Sequence, residues 1–105
     1  MADRSVTPQE IRTHLERILA SRDFASASRL SAFLRFVVET ALDGKAGDIK
    51  ESLIAVEVYG RPPDYNPQID STVRVEAGRL RARLQKWYDS EGASERLRIE
   101  LPKGG

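Results

Sequence analysis

The apolar positions of this chain fall into four runs with helical spacing and one with strand spacing. Ile11, Leu15, Ile18 and Leu19 form the first run, which fades near Ser21. Thr7 stands before it as a cap, Pro8 suits the first helical position, and Glu10 completes a capping box. Leu30, Phe33, Leu34, Val37, Val38, Ala41 and Leu42 give the second run a wide apolar face. It predicts a central core helix over residues 28–43, with caps available in 22–28 and a stop at Gly44. A third helix starts at the box-like Asp48-Ile-Lys-Glu51, carries Ile49, Leu53, Ile54, Val56 and Val58, and ends at Tyr59-Gly60. Three prolines in residues 61–70 then exclude regular structure and predict a rigid loop. Val73, Ala77, Leu80, Leu84 and Trp87 recur at intervals of four, three, four and three, the period of a buried helical stripe. This fourth helix is expected over 71–88, capped by Asp70 or Ser71 and ending near Ser90-Glu-Gly92. Leu97-Arg-Ile-Glu-Leu101 alternates apolar and charged residues and predicts a strand, with a turn at Pro102-Lys-Gly-Gly105. A lone short strand cannot satisfy its backbone groups. The chain is therefore expected to stop in mid-hairpin, as the N-terminal part of a longer protein.

Charge changes the meaning of the fourth helix. From Ser71 to Tyr88 there are five basic residues and one acidic residue, a net +4. Residues 1–70 hold nine basic and eleven acidic residues, and residues 89–105 three and four, so these parts carry −2 and −1. The whole-chain value of +1 hides this concentration. A basic helix fixed to a core by one face is a natural reader of a polyanion. With Val73 at the centre of the buried stripe, Ser71, Val75, Gly78, Arg79, Ala82 and Lys86 project outward. Thr72, Glu76 and Arg83 border that face on one flank, and Arg74 and Arg81 on the other. Gly78 has two readings, a close approach of a phosphate or helix, or a tolerated surface glycine.

The remaining composition narrows the class. At 105 residues and 40% apolar, the chain is expected to form one soluble domain with a modest core. No apolar run reaches the roughly 18–20 residues of a membrane span. No signal-peptide core is visible, and a cytoplasmic location is the default. With no cysteine, one histidine and no phosphate-binding glycine loop, catalysis, a metal site and a cofactor are not expected. His14 is expected to be a partly exposed helix residue.

The order of elements suggests a mainly α, winged helix-turn-helix fold of three to four helices with a truncated C-terminal β-wing. Residues 1–27 would be an N-terminal helix extension and 28–105 the core. Three phrases carry a resemblance: Ile54-Ala-Val-Glu-Val-Tyr-Gly60, Ser71-Thr-Val-Arg-Val-Glu-Ala-Gly-Arg-Leu-Arg-Ala-Arg-Leu84 and Leu97-Arg-Ile-Glu-Leu-Pro-Lys-Gly-Gly105. Over residues 28–105 they resemble the winged-helix effector domains of OmpR/PhoB-type response regulators. The small N-terminal sheet, the receiver domain and the second wing strand of that family have no counterpart here. Phe33-Leu-Arg-Phe-Val-Val-Glu-Thr40 and the ending Ile-Glu-Leu-Pro-Lys-Gly-Gly are also similar to the N-terminal winged-helix module of large bacterial proteins with tetratricopeptide, TolB-like or adenylate-cyclase-like regions.

The resemblance implies a bacterial transcriptional regulator that binds double-stranded DNA, with helix 71–88 in the major groove. Ser71, Thr72, Val75, Glu76, Arg79 and Arg81 would contact DNA, with Arg74, Arg83 and Lys86 as basic flanks and Lys103 reaching from the wing turn. A carboxylate at Glu76 repels phosphates unless it accepts from a cytosine amino group. Loop 61–69, with Asp64 and Tyr65 exposed, would be available to RNA polymerase, and a homodimer would raise affinity through paired half-sites. Two other readings stand beside this one. The arginines form a merely solvated face, with Glu76 paired to Arg79 or Arg83. Alternatively, the domain is a winged-helix interaction or dimerisation module that works through Trp87, Tyr88 and the first helix.

Overall fold

The structure, a computed structural model, describes residues 6–101. It contains five α-helices among those residues: α1 (Pro8–Ala20), α2 (Arg22–Ala25), α3 (Ser28–Leu42), α4 (Glu51–Tyr59) and α5 (Thr72–Asp89). A single 3-10 turn at Ala46–Asp48 separates α3 from α4.

The start of α1 is the capping box anticipated from sequence. The Glu10 N–H donates to Thr7 Oγ1 at 3.1 Å, and the Thr7 N–H donates to Glu10 Oε1 at 2.9 Å. Two donors that no helical carbonyl reaches are thereby satisfied. After Ser21 the expected break contains one turn of helix, α2, which buries Phe24. α3 touches α1, α2, α4 and α5, and so is the central helix that its wide apolar face predicted. Leu30, Phe33, Leu34, Val37 and Val38 fill the middle of the core. α4 starts three residues later than the box-like Asp48 implied, at Glu51. Asp48 instead closes the 3-10 turn, and the N-cap residue Lys50 makes no side-chain cap bond. α4 ends as expected at Gly60, whose φ of +66° lies in the left-handed region where a Cβ is strained.

α5 is the longest helix. Val73, Leu80, Leu84 and Trp87 are buried as the stripe required, Tyr88 joins them, and Ala77 is half-buried. After α5 the chain turns at Gly92, whose N–H donates to the Trp87 carbonyl at 2.7 Å. The Trp87 indole occupies the space of a side chain there, since a Cβ on Gly92 would stand 2.2 Å from Trp87 Cζ3. Only glycine lets the backbone lie flat on that ring.

The strand expected at 97–101 is not formed. No strand occurs among the described residues, because no second segment lies alongside to complete a ladder. The alternation is still visible as burial, with Leu97, Ile99 and Leu101 half-buried and Arg98 and Glu100 exposed. The turn expected at 102–105 lies outside the described residues. The fold is thus helical among the described residues, and none of the described helices is long and apolar enough to cross a membrane.

Two substitutions test this packing. Leu80→Ala is expected to lower unfolding free energy by about 2–5 kcal/mol in urea titration. Gly92→Ala is expected to cost about 1–3 kcal/mol, because the new methyl meets a buried indole with little room to move.

Candidate nucleic-acid interface

The loop before α5 is stapled at both ends, which sets where the basic helix begins. The Arg61 Nε donates to Asp70 Oδ2 at 2.9 Å, Nη2 to Thr72 Oγ1 at 3.0 Å, and Nη1 to the Tyr59 carbonyl at 3.3 Å. Asp70 Oδ1 accepts from the Thr72 N–H at 2.9 Å and from its hydroxyl at 2.5 Å. Asp70 therefore serves the first turn of α5, while the N-cap residue Ser71 makes no side-chain cap bond. The Thr72 hydroxyl and N–H, followed by the Arg61 guanidinium, pull the Asp70 carboxyl down to about 2. Tyr65, expected to be exposed, is instead half-buried. Its hydroxyl donates to the Asp70 carbonyl at 2.8 Å and lies 3.2 Å from Glu51 Oε2. Asp64 is exposed as expected.

The outward face of α5 has the predicted phase. Ser71, Val75, Arg79, Ala82 and Lys86 are exposed, Val75 at 47%. Nothing lies within 4 Å of a Cβ built on Gly78, so no contact inside the protein requires glycine there. The floor of this face is made of small side chains, with cations around it.

Those cations are not equally available. Arg74 donates through Nη2 to the Pro67 carbonyl at 2.7 Å, tying α5 to the proline loop. Arg79 pairs with Glu76 at 2.9 Å but keeps 68% of its side chain exposed. Arg83 donates to the Asp23 carbonyl and Lys86 stands 3.4 Å from the Asp23 carboxylate. Both thus lean toward α2, on the flank away from Arg74. Arg81 is half-buried in the wall of a cleft shared with Arg98, Ile99, Glu100 and Leu101. Thr72 is half-buried and its hydroxyl is engaged by Asp70 and Arg61, so it organises the helix start. Lys103 lies outside the described residues.

Glu76 is only 14% exposed and accepts from both the Tyr59 hydroxyl at 3.2 Å and Arg79. Burial, together with this carboxylate, pushes the Tyr59 hydroxyl well above its ordinary range, so it remains a donor. Glu76 is thereby matched inside the fold. Two basic residues that sequence reasoning passed over join this region. Arg61 is the loop staple, and the exposed Arg29 of α3 places its guanidinium 5.4 Å from the centre of the Tyr59 ring. An opposite charge nine residues on, Asp70, was a usable signal for Arg61. Nothing local marks Arg29, because its position depends on how α3 packs against α4.

At the far end of α5, Trp87 is buried as the stripe predicts and Tyr88 is buried beside it, so neither offers the surface that the interaction-module reading assigns to them. One expectation fails at this end. His14, expected to be partly exposed, is 3% exposed, with its Nε2 2.8 Å from the Tyr88 hydroxyl. That oxygen accepts the Ile99 N–H at 2.7 Å. The His14 Nδ1 faces Glu95 Oε1 at 3.6 Å, which favours a proton on Nδ1 and leaves Nε2 to accept from Tyr88. One hydroxyl thus links α1, α5 and the segment after it. Burial lowers the His14 pKa, Glu95 opposes that shift, and Arg17 adds to it.

Tyr88→Phe should cost about 1–3 kcal/mol in urea titration, since it strips a partner from a buried imidazole and a half-buried N–H. The sign of the pH effect follows from the lowered pKa of His14. Below about 6.5 the unfolded chain takes up a proton that the folded state refuses. Its stabilising contribution is full above that pH and falls as pH drops toward the depressed folded value. Urea midpoints measured from pH 7 to 5 should therefore decline, and His14→Gln should flatten that decline. Comparison of the chain with protein-family models, with curated proteins and with solved structures finds no match.

Proposed function

We propose that the domain binds double-stranded DNA as a helix-turn-helix, with α4 and the stapled loop setting the angle at which α5 lies in the major groove. The observation that carries this reading is the outward face of α5. It is uncovered and floored by Val75, Gly78 and Ala82, with Arg74 and Arg79 rising beside it. A groove that admits one α-helix needs such a low floor with cations to either side. Arg79 projects furthest and suits a guanine edge or a phosphate. Ser71, exposed at the start of α5, suits a phosphate, while the Thr72 N–H is already taken by the Asp70 carboxylate. Arg83 and Lys86, drawn toward Asp23, contribute field more than contact. A winged architecture, a role in bacterial transcription regulation, and contact of loop 61–69 with RNA polymerase belong to the same proposal. They rest on the resemblance to response-regulator effector domains.

A protein-interaction module is the rival reading, but the burial of Trp87 and Tyr88 leaves only the first helix of the surface assigned to it.

The test is fluorescence anisotropy of the chain with random-sequence duplex DNA at about 50 and about 200 mM salt, where phosphate contacts make affinity fall steeply. Absence of binding at the lower salt, with the domain shown to be folded, would refute the proposal. Arg79→Ala is expected to weaken binding by about 1–3 kcal/mol. Its effect on stability should stay within about 0.5 kcal/mol, as for other surface changes. Gly78→Ala should stabilise the helix by up to about 1 kcal/mol. A simultaneous loss of DNA affinity would mean that DNA approaches closely at that position, and unchanged affinity would make Gly78 a tolerated surface glycine.

A further inference from the structure

Residues 97–101 run beside the C-terminal half of α5 without helix, turn or bend. Their burial alternates with the period of an extended chain. One edge of this segment is held against the domain. The Ile99 N–H donates to the Tyr88 hydroxyl at 2.7 Å. Arg98 reaches back to Gln85 Oε1 at 3.1 Å, with its guanidinium 4.6 Å from the centre of the Tyr88 ring. In an extended chain, the backbone groups of successive residues point to opposite edges. With the Ile99 N–H turned toward Tyr88, those of Arg98 and Glu100 turn away from it. Among the described residues neither N–H has a backbone partner. The segment is an open strand edge, the kind of feature that recruits another strand.

We infer that this edge pairs with the same edge of a second copy of the chain, antiparallel and centred on Ile99. The segment is its own complement in that register. Ile99 faces the partner's Ile99, and Leu97 faces the partner's Leu101. Arg98 falls opposite the partner's Glu100, and Glu100 opposite the partner's Arg98. These two charged positions are the ones that exchange both backbone hydrogen bonds, with Ile99 as the pair between them that exchanges none. Within one copy, Arg98 Nε already lies 3.4 Å from Glu100 Oε2. Pairing would therefore set four charges of alternating sign around a square on the exposed face. A parallel arrangement in register would set Arg98 against Arg98 and is disfavoured. The contact is isologous, so it closes at two copies. It stands independently of DNA binding by α5, so either can fail without the other, but it uses the edge that a second wing strand would take, so the two pairings exclude each other.

Analytical ultracentrifugation of the 105-residue chain, combined with amide hydrogen exchange over a concentration series, tests the pairing. A two-strand contact is weak, so a reversible dimer with a dissociation constant on the order of 100 μM is expected. Protection of the Arg98 and Glu100 amides should rise with concentration. Glu100→Pro removes one outward donor, leaves the Ile99–Tyr88 bond in place, and should abolish the dimer. Arg98→Glu should weaken it by about tenfold, because two like-charge pairs are created. The double variant Arg98→Glu with Glu100→Arg should restore it, which separates pairing from any local loss of the contact with Gln85. A monomer at the highest concentration would overturn the inference. So would a dimer indifferent to Glu100→Pro. Protection of the two amides that does not vary with concentration would also overturn it, since the occupant would then be a segment of the same chain.

Discussion

An 18-residue helix held to a core by one stripe has no freedom in what it presents to solvent. Once Val73, Leu80, Leu84 and Trp87 are buried, the opposite face is decided by geometry at about 100° per residue. Rotating α5 to expose a different set would pull large apolar side chains into water, at roughly 1.5–3 kcal/mol for each. The other helices serve this one constraint. α3 supplies the central wall, α4 and its glycine stop place the loop, and the Arg61–Asp70–Thr72 staple sets the first turn of α5. The aromatic end of the helix is clamped by His14 and Gly92, so the far end is fixed as firmly as the near one.

Electrostatics act on top of that frame and redistribute the charge that the sequence places on α5. A net charge on a segment says how many cations it holds, not where their fields point. Arg83 and Lys86 spend part of theirs on α2 through Asp23, and Arg74 satisfies a loop carbonyl. Glu76, the one carboxylate on this side of the helix, is neutralised from within by Tyr59 and Arg79. Such partly exposed pairs add little stability. They do hold long side chains in place, which lowers the entropy lost when a ligand orders them. Arg79 combines a local partner with the exposure to leave it.

The segment after α5 shows the same logic applied to the backbone. Ile99 and Leu101 pack against the core, one inward N–H is satisfied by Tyr88, and its outer edge keeps hydrogen-bonding capacity that an isolated domain leaves to water. A strand is a relation between two segments, and alternation alone supplies only one of them.

Much was legible in the sequence because it depended on local periodicity and local chemistry. The four main helices, the capping box at Thr7, the stop at Gly60, the irregular course of the proline loop and the phase of α5 all follow from residues within a few positions of one another. The start of α4 and the one-turn α2 were missed, since short polar stretches offer several turns of similar energy and packing selects among them. The candidate face of α5 was readable in its phase and its charge, but not in its availability. That His14 would be buried beneath Tyr88, that Tyr88 would join the core, and that Asp23 would draw off two of the cations depend on residues 60 to 74 positions apart. Periodicity reports which side of a helix is apolar. Only the tertiary structure decides which distant group meets that side, because such contacts are made by packing in space and leave no trace in the order of neighbouring residues.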